Sequence, residues 1–104
     1  MQCYIRENSW IAHIAAWKLK SQQVAIVIGK TVHLYQTSRE AFLKNTHWVR
    51  HEVAHIRQFE KYGFLPFIIR YLLESLKSGY HKNRYEIEAR QAEQDVDIAS
   101  SVEF

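Results

Sequence analysis

THWVRHEVAHIRQFEKYG, residues 46–63, carries His51, Glu52 and His55 in the order H-E-x-x-H. Thr46 is a suitable N-cap, Gly63 a suitable stop, and no helix breaker lies between them, so the pattern predicts one helix from about 46 to 62. Residues four apart share a face of a helix. His51 and His55 can therefore direct imidazole nitrogens at one ion. Glu52, about 100° further round, can approach a water beside that ion. In this arrangement the histidines are zinc ligands and Glu52 is the general base for the metal-bound water. A helix without a metal would have Glu52 paired with a neighbouring cation such as Arg50 or Lys82. His47 lies four residues before His51 and reads as a surface or supporting residue, because the glutamate-bearing triplet fits only 51–55.

The rest of the chain falls into elements around this helix. Pro66 suits the first turn of a helix over about 65–78, which stops at Ser78-Gly79. Asn83 can cap a last helix over about 84–99, with Tyr85, Ala89, Ala92, Val96 and Ala99 at helical spacing. Upstream, VAIVIGKTVHLYQT (residues 24–37) reads as a β-hairpin turning at Gly29-Lys30, with Val32 and Leu34 alternating against His33 and Tyr35. Residues 38–45 are a polar loop with room for one helical turn. Asn8 or Ser9 can cap a helix to about Leu19, whose apolar face is Trp10, Ile11, Ile14, Ala15 and Trp17. Residues 3–7 form a short extended piece. Helix, hairpin and three further helices make an α+β fold, with helices expected on one face of a small sheet.

With 104 residues, 47% hydrophobic and 24% charged, the chain can bury one small core. Cys3 is the lone cysteine, which excludes an intrachain disulfide and a thiolate zinc cluster. The opening MQCYIRENSW lacks the apolar run of a signal peptide, so a cytoplasmic protein is expected. FLPFIIRYLL is interrupted by Arg70 and falls short of the roughly 20 residues that span a bilayer, so no stable membrane insertion is expected. The formal charge of +3 comes from cations mixed with acids along the chain. With no helix-turn-helix signal and no basic aromatic strand, a nucleic-acid partner is not expected. FLPFIIRYLLESL is apolar round most of its circumference. That suits core packing first, and a homo-oligomer interface or shallow membrane contact second.

A catalytic zinc site takes three protein ligands and keeps one position open. Position 58 is Gln and position 61 is Lys, so the metzincin pattern is absent; His81 is the only later histidine. The later acids run from Glu60 to Glu103. Glu86 and Glu88 flank the apolar stripe of the last helix, and periodicity leaves both open. Glu86 also stands three residues after Asn83, the spacing of a capping box.

H-E-V-A-H followed by N-R-Y-E-I-E-A, residues 83–89, resembles the gluzincin pattern of zinc metallopeptidases. In that clan a second helix supplies a glutamate ligand, commonly in an E-x-x-A setting. The resemblance implies Glu86 as the third ligand, with Ala89 three residues on. It covers about residues 25–92, and the length and element order are similar to those of the minigluzincins. It implies one minimal zincin-like metallopeptidase domain over 1–104, with Zn2+ as cofactor and a peptide or protein as substrate.

The resemblance also implies a sheet edge that binds extended peptide, for which TVHLYQT is the candidate. Tyr80 and His81, just before the glutamate helix, are candidate oxyanion stabilisers, with His33 and Tyr35 behind them. Minigluzincins are known as latent forms, so the tail DVDIASSVEF, residues 95–104, is a candidate plug for the cleft. One departure stands out. Membrane-embedded gluzincins often place Asp four residues after the ligand glutamate, where this chain has Arg90, so the carboxylate that orients a ligand histidine has to come from elsewhere. The alternative use of the same ligands is a zinc-stabilised binding or regulatory domain without productive turnover.

Overall fold

The computed structural model describes residues 1–104. In chain order the elements are β1 (Tyr4–Arg6), α1 (Trp10–Leu19), β2 (Val24–Ile28), β3 (Thr31–Tyr35), α2 (Arg39–Lys44), α3 (Thr46–Tyr62), α4 (Phe64–Ser78) and α5 (Arg84–Ala92). The fold is α+β, as the sequence pattern implies. β2 and β3 form the antiparallel hairpin, with Ile26 opposite His33. Gly29 makes its turn at φ +66°, a value glycine adopts without a Cβ clash.

The sheet differs from the expectation in one respect that matters for the site. β1 pairs with β3 in parallel, Ile5 opposite Val32, so the strand order is β1-β3-β2. β3, the strand part of TVHLYQT, is therefore central: β2 pairs along Thr31–Tyr35, β1 along Thr31–His33, and Ser9 N–H donates to the Leu34 carbonyl beyond it, so the strand is not the free edge expected for a peptide. β2 is the hairpin's free edge. The helices also cover both faces rather than one. On the His33 and Tyr35 side, the Ser9 hydroxyl bonds His33 Nδ1 at 2.8 Å and His13 stacks on Tyr35, which seats α1 there. On the other side Val27, Val32 and Leu34 pack with Phe42, Ile56, Phe59 and Phe67 in the main core.

Local signals explain the helix ends. α1 starts at Ser9, whose side chain accepts from Ile11 N, and stops at Lys20 in the left-handed region. Its buried residues are Ala12 and Ala16; of the expected apolar face Ile11 and Ala15 are half-buried, while Trp10, Ile14 and Trp17 point outward, Trp17 being 78% exposed. Small alanines let α1 lie close against the sheet, and the large side chains are left outside. The helical turn allowed within 38–45 is a six-residue helix, α2, because Ser38 accepts from Ala41 N and caps it. The cap of α3 is Asn45, accepting from Trp48 N, so Thr46 is already inside the helix. α5 ends at Ala92, well short of 99. Asp95 Oδ1 accepts from the Asp97 backbone N–H, an Asx-turn that competes with continued helix.

The tail does not enter a cleft. Glu103 bridges Gln2 in parallel, Phe104 packs edge-on to Phe42, and Arg39 donates to the Phe104 carbonyl. Residues 101–104 lie beside the N-terminal segment, where Val102 and Phe104 pack on the main core, and no residue of 95–104 lines the cavities at the histidines of α3.

Candidate metal centre

α3 and α5 pack against each other, and the site lies in their contact. His51 and His55 stand one turn apart on α3, with ring centroids 5.1 Å apart. Glu86 reaches them from the first turn of α5. Its Oε1 lies 3.1 Å from His51 Nε2 and 3.2 Å from His55 Nε2. The three potential ligand atoms all fall within 4.8 Å of one another. Ala89, fully buried one turn further along α5, lets the two helices approach. The capping-box role for Glu86 is excluded: the Asn83 backbone N–H donates to the Tyr80 carbonyl, and the Glu86 carboxylate is spent on the histidines and Tyr71. Glu88 turns away and accepts from Gln58 Nε2 at 3.0 Å. Between the two open acids, the cluster contains Glu86.

The outer nitrogens of both imidazoles are held. His55 Nδ1 donates to Gln58 Oε1 at 2.8 Å, and Gln58 Nε2 donates in turn to the Tyr85 carbonyl at 3.1 Å. His51 Nδ1 donates to Glu93 Oε2 at 2.9 Å. Glu93 is thus the orienting carboxylate that position 90 lacks; Arg90 itself donates to the His81 carbonyl. With each Nδ1 committed as a donor, each Nε2 is the atom left to face a ligand. Tyr71 OH, from α4, bonds Glu86 Oε2 at 2.5 Å and fixes the second carboxylate oxygen.

These contacts set the charges. Burial pushes the Glu86 carboxyl up, but the hydrogen bonds from His51 and His55 outweigh it and hold the group well below the usual carboxylate range. Burial pulls His51 down, yet its bonds to Glu86 and Glu93 and the nearby Glu52 carboxylate raise it to about 9. His55 is raised in the same way, against its own burial. Two imidazoles and a carboxylate with fixed outer partners are the nitrogen and oxygen donors that suit zinc and similar divalent ions.

Glu52 behaves differently. It is 4% exposed and enters no ion pair; Arg50 instead donates to the Glu93 carbonyl. Burial drives its carboxyl up to about 7, only partly offset by the two histidines. Such a group can take and release a proton near neutrality.

Two cavities meet at the cluster. A polar cleft of about 730 Å³ is bounded by His47, His51, Glu52, Tyr80, His81 and Glu93. A cavity of about 430 Å³, mostly apolar, runs from His51, Glu52, His55 and Glu86 between the β2 edge and α4. Tyr80 borders both, and burial raises its phenol to about 12, so it stays a proton donor. His81 is exposed and borders only the polar cleft. His33 and Tyr35 are bound to Ser9 and His13 on the far face of the sheet and have no part in the site. His47 is an exposed residue of the cleft rim.

Gln58, Tyr71 and Glu93 complete the site and do not follow from the H-E-x-x-H pattern. Two of them have a spacing signal: Gln58 is three residues after His55, and Glu93 two helical turns after Glu86. No known family, curated protein or solved structure matches the chain.

Proposed function

We propose that the chain is a zinc-dependent metallopeptidase of gluzincin type that hydrolyses peptide bonds. The observation that carries this reading is the convergence of His51, His55 and Glu86 beside a buried, unpaired Glu52. His51 Nε2, His55 Nε2 and a Glu86 carboxylate oxygen would hold the ion. Bound zinc supplies a Lewis acid that polarises a peptide carbonyl and acidifies a water. Glu52, buried beside the three donors, takes the proton of the attacking water and hands it to the leaving amine. Tyr80 O–H, at the junction of the two cavities, donates to the oxygen that gains charge. The substrate backbone lies along the free edge of β2, which borders the apolar cavity. Glu93 and Gln58 keep the imidazoles turned so that their Nε2 atoms face the ion.

The other use of the same ligands, a zinc-stabilised binding domain without turnover, draws support from the way the ligands tie α3 to α5. Glu52→Gln separates the two. In a peptidase the variant keeps about one zinc per chain and loses cleavage of a peptide library by at least about a hundredfold. A chain that binds zinc but cleaves nothing, with or without Glu52, is the binding domain. No zinc in the wild type or after incubation with zinc refutes both.

A further inference from the structure

Most of the large apolar side chains left in solvent lie on two helices. On α1 they include Trp10, Ile14 and Trp17; on α4 they include Leu72, Leu73 and Leu76, the last 85% exposed. The two helices flank one opening. Lys18 and Leu19 of α1 and Leu72 and Ser75 of α4 border the same apolar cavity, and Leu19 and Leu72 are also open to solvent. Exposed apolar side chains of both helices therefore reach the cavity mouth. A patch of this extent marks an interaction site.

The charges on these helices narrow the partner. Lys18 and Lys20 end α1, and Arg70 and Lys77 lie on α4; Glu74 is the only acid on either helix. None of these four cations is within an ion pair, although Arg70 lies over the Tyr62 ring, whereas Lys44 and Arg57 elsewhere are paired with glutamates. Six of the eleven acids, Glu86, Glu88, Glu93, Asp95, Asp97 and Glu103, follow α4 in the chain; Glu7, Glu40, Glu52 and Glu60 lie elsewhere outside the two helices. Against a second copy across a two-fold axis, the patch would meet its own cations, a like-charge contact that opposes association. An anionic surface neutralises them. Exposed Trp and Leu beside Lys and Arg are the composition of helices that lie in a membrane interface. No helix is long and apolar enough to cross a membrane.

We propose that the outer faces of α1 and α4 seat the domain on an anionic lipid surface, with the mouth of the apolar cavity turned toward it. The seating rests on the unpaired cations and outward apolar side chains and is independent of turnover at the metal centre. The Trp rings enter the headgroup region, and the cations meet the lipid phosphates and carboxylates.

The test is co-sedimentation of the purified full chain with phosphatidylcholine vesicles, with or without about 30% phosphatidylserine. The expected result is pelleting with the anionic vesicles only, with a blue shift of tryptophan emission. Lys18→Gln with Lys77→Gln should weaken partition by roughly 30-fold, at the usual contribution of each cation near such a surface. Trp17→Ser with Leu76→Ser should weaken it through the apolar part, and because both residues are exposed the melting temperature should hold. Equal pelleting with both vesicle types, or no pelleting, overturns the proposal, as does partition untouched by either pair of substitutions. A dimer in sedimentation velocity that Trp17→Ser with Leu76→Ser dissolves, without vesicle binding, assigns the face to a second copy and overturns it too.

Discussion

Glu52→Gln should stabilise the metal-free protein, and by an amount that depends on pH. The folded carboxyl sits at about 7, against an ordinary value of 4.5. Its neutral form is therefore favoured on folding. The stability it contributes is complete below about pH 4.5 and is lost as pH rises through 7. Each pKa unit is worth about 1.4 kcal/mol, so ionised Glu52 costs the fold about 3 kcal/mol at pH 8. Glu52 is 4% exposed, so solvent screens little of this. Gln keeps the shape and removes the charge. For a domain of this size the melting temperature of the variant should match wild type at pH 4 and exceed it by roughly 10–20 °C at pH 8. The assay is differential scanning calorimetry in chelator across that range. The Glu52 charge also holds up the His51 and His55 imidazoles, so the pH-dependent gap reports Glu52 together with its coupling to these two neighbours. A gap in melting temperature that does not change with pH would refute the reasoning.

Glu86→Ala should abolish zinc retention in mass spectrometry of purified protein, while Glu88→Ala, which loses only a bond to Gln58, should retain it. Glu93→Gln should weaken zinc affinity by about 10–100-fold in a competition titration, because His51 Nδ1 loses its carboxylate. Tyr80→Phe should lower kcat of the proposed peptidase with zinc content unchanged, whereas Tyr71→Phe should lower zinc affinity, since its hydroxyl bonds Glu86, the proposed third ligand. Phe42→Ala should cost about 3–5 kcal/mol in urea unfolding, since this ring is fully buried between Trp48 and Phe104.

The parts legible in the sequence are those written in short-range spacing. His51 and His55 four apart, Gly63 and Pro66 at the α3–α4 junction, and Gly29 in the hairpin turn each carry a local physical signal, and each element appears where that signal puts it. Glu86 was legible through its resemblance to a family pattern; periodicity alone left Glu88 beside it. What the sequence hid depends on contacts between distant segments. β1 is three residues long, too short to announce that it pairs with β3 and turns TVHLYQT into a central strand. α1, with Trp10, Ile14 and Trp17 among alanines, is apolar nearly all round, so its sequence does not say which side faces the sheet. The stripe to Ala99 was broken by one Asx-turn. Tyr71, inside an apolar helix, shows its role only when α4 lies beside Glu86.

Gln58 joins the two halves of the centre by a bond whose direction is fixed. A carboxamide has one end that accepts and one that donates. The donating end is taken by the Tyr85 carbonyl and by Glu88, on or next to the turn that carries Glu86. The accepting end is thereby left for His55, which must place its proton on Nδ1. The helix that carries Glu86 thus dictates the tautomer of a histidine on the other helix. If the cluster holds a metal, α5 would write one ligand and proofread another, so a shift of α5 along α3 would change both members of the donor set at once.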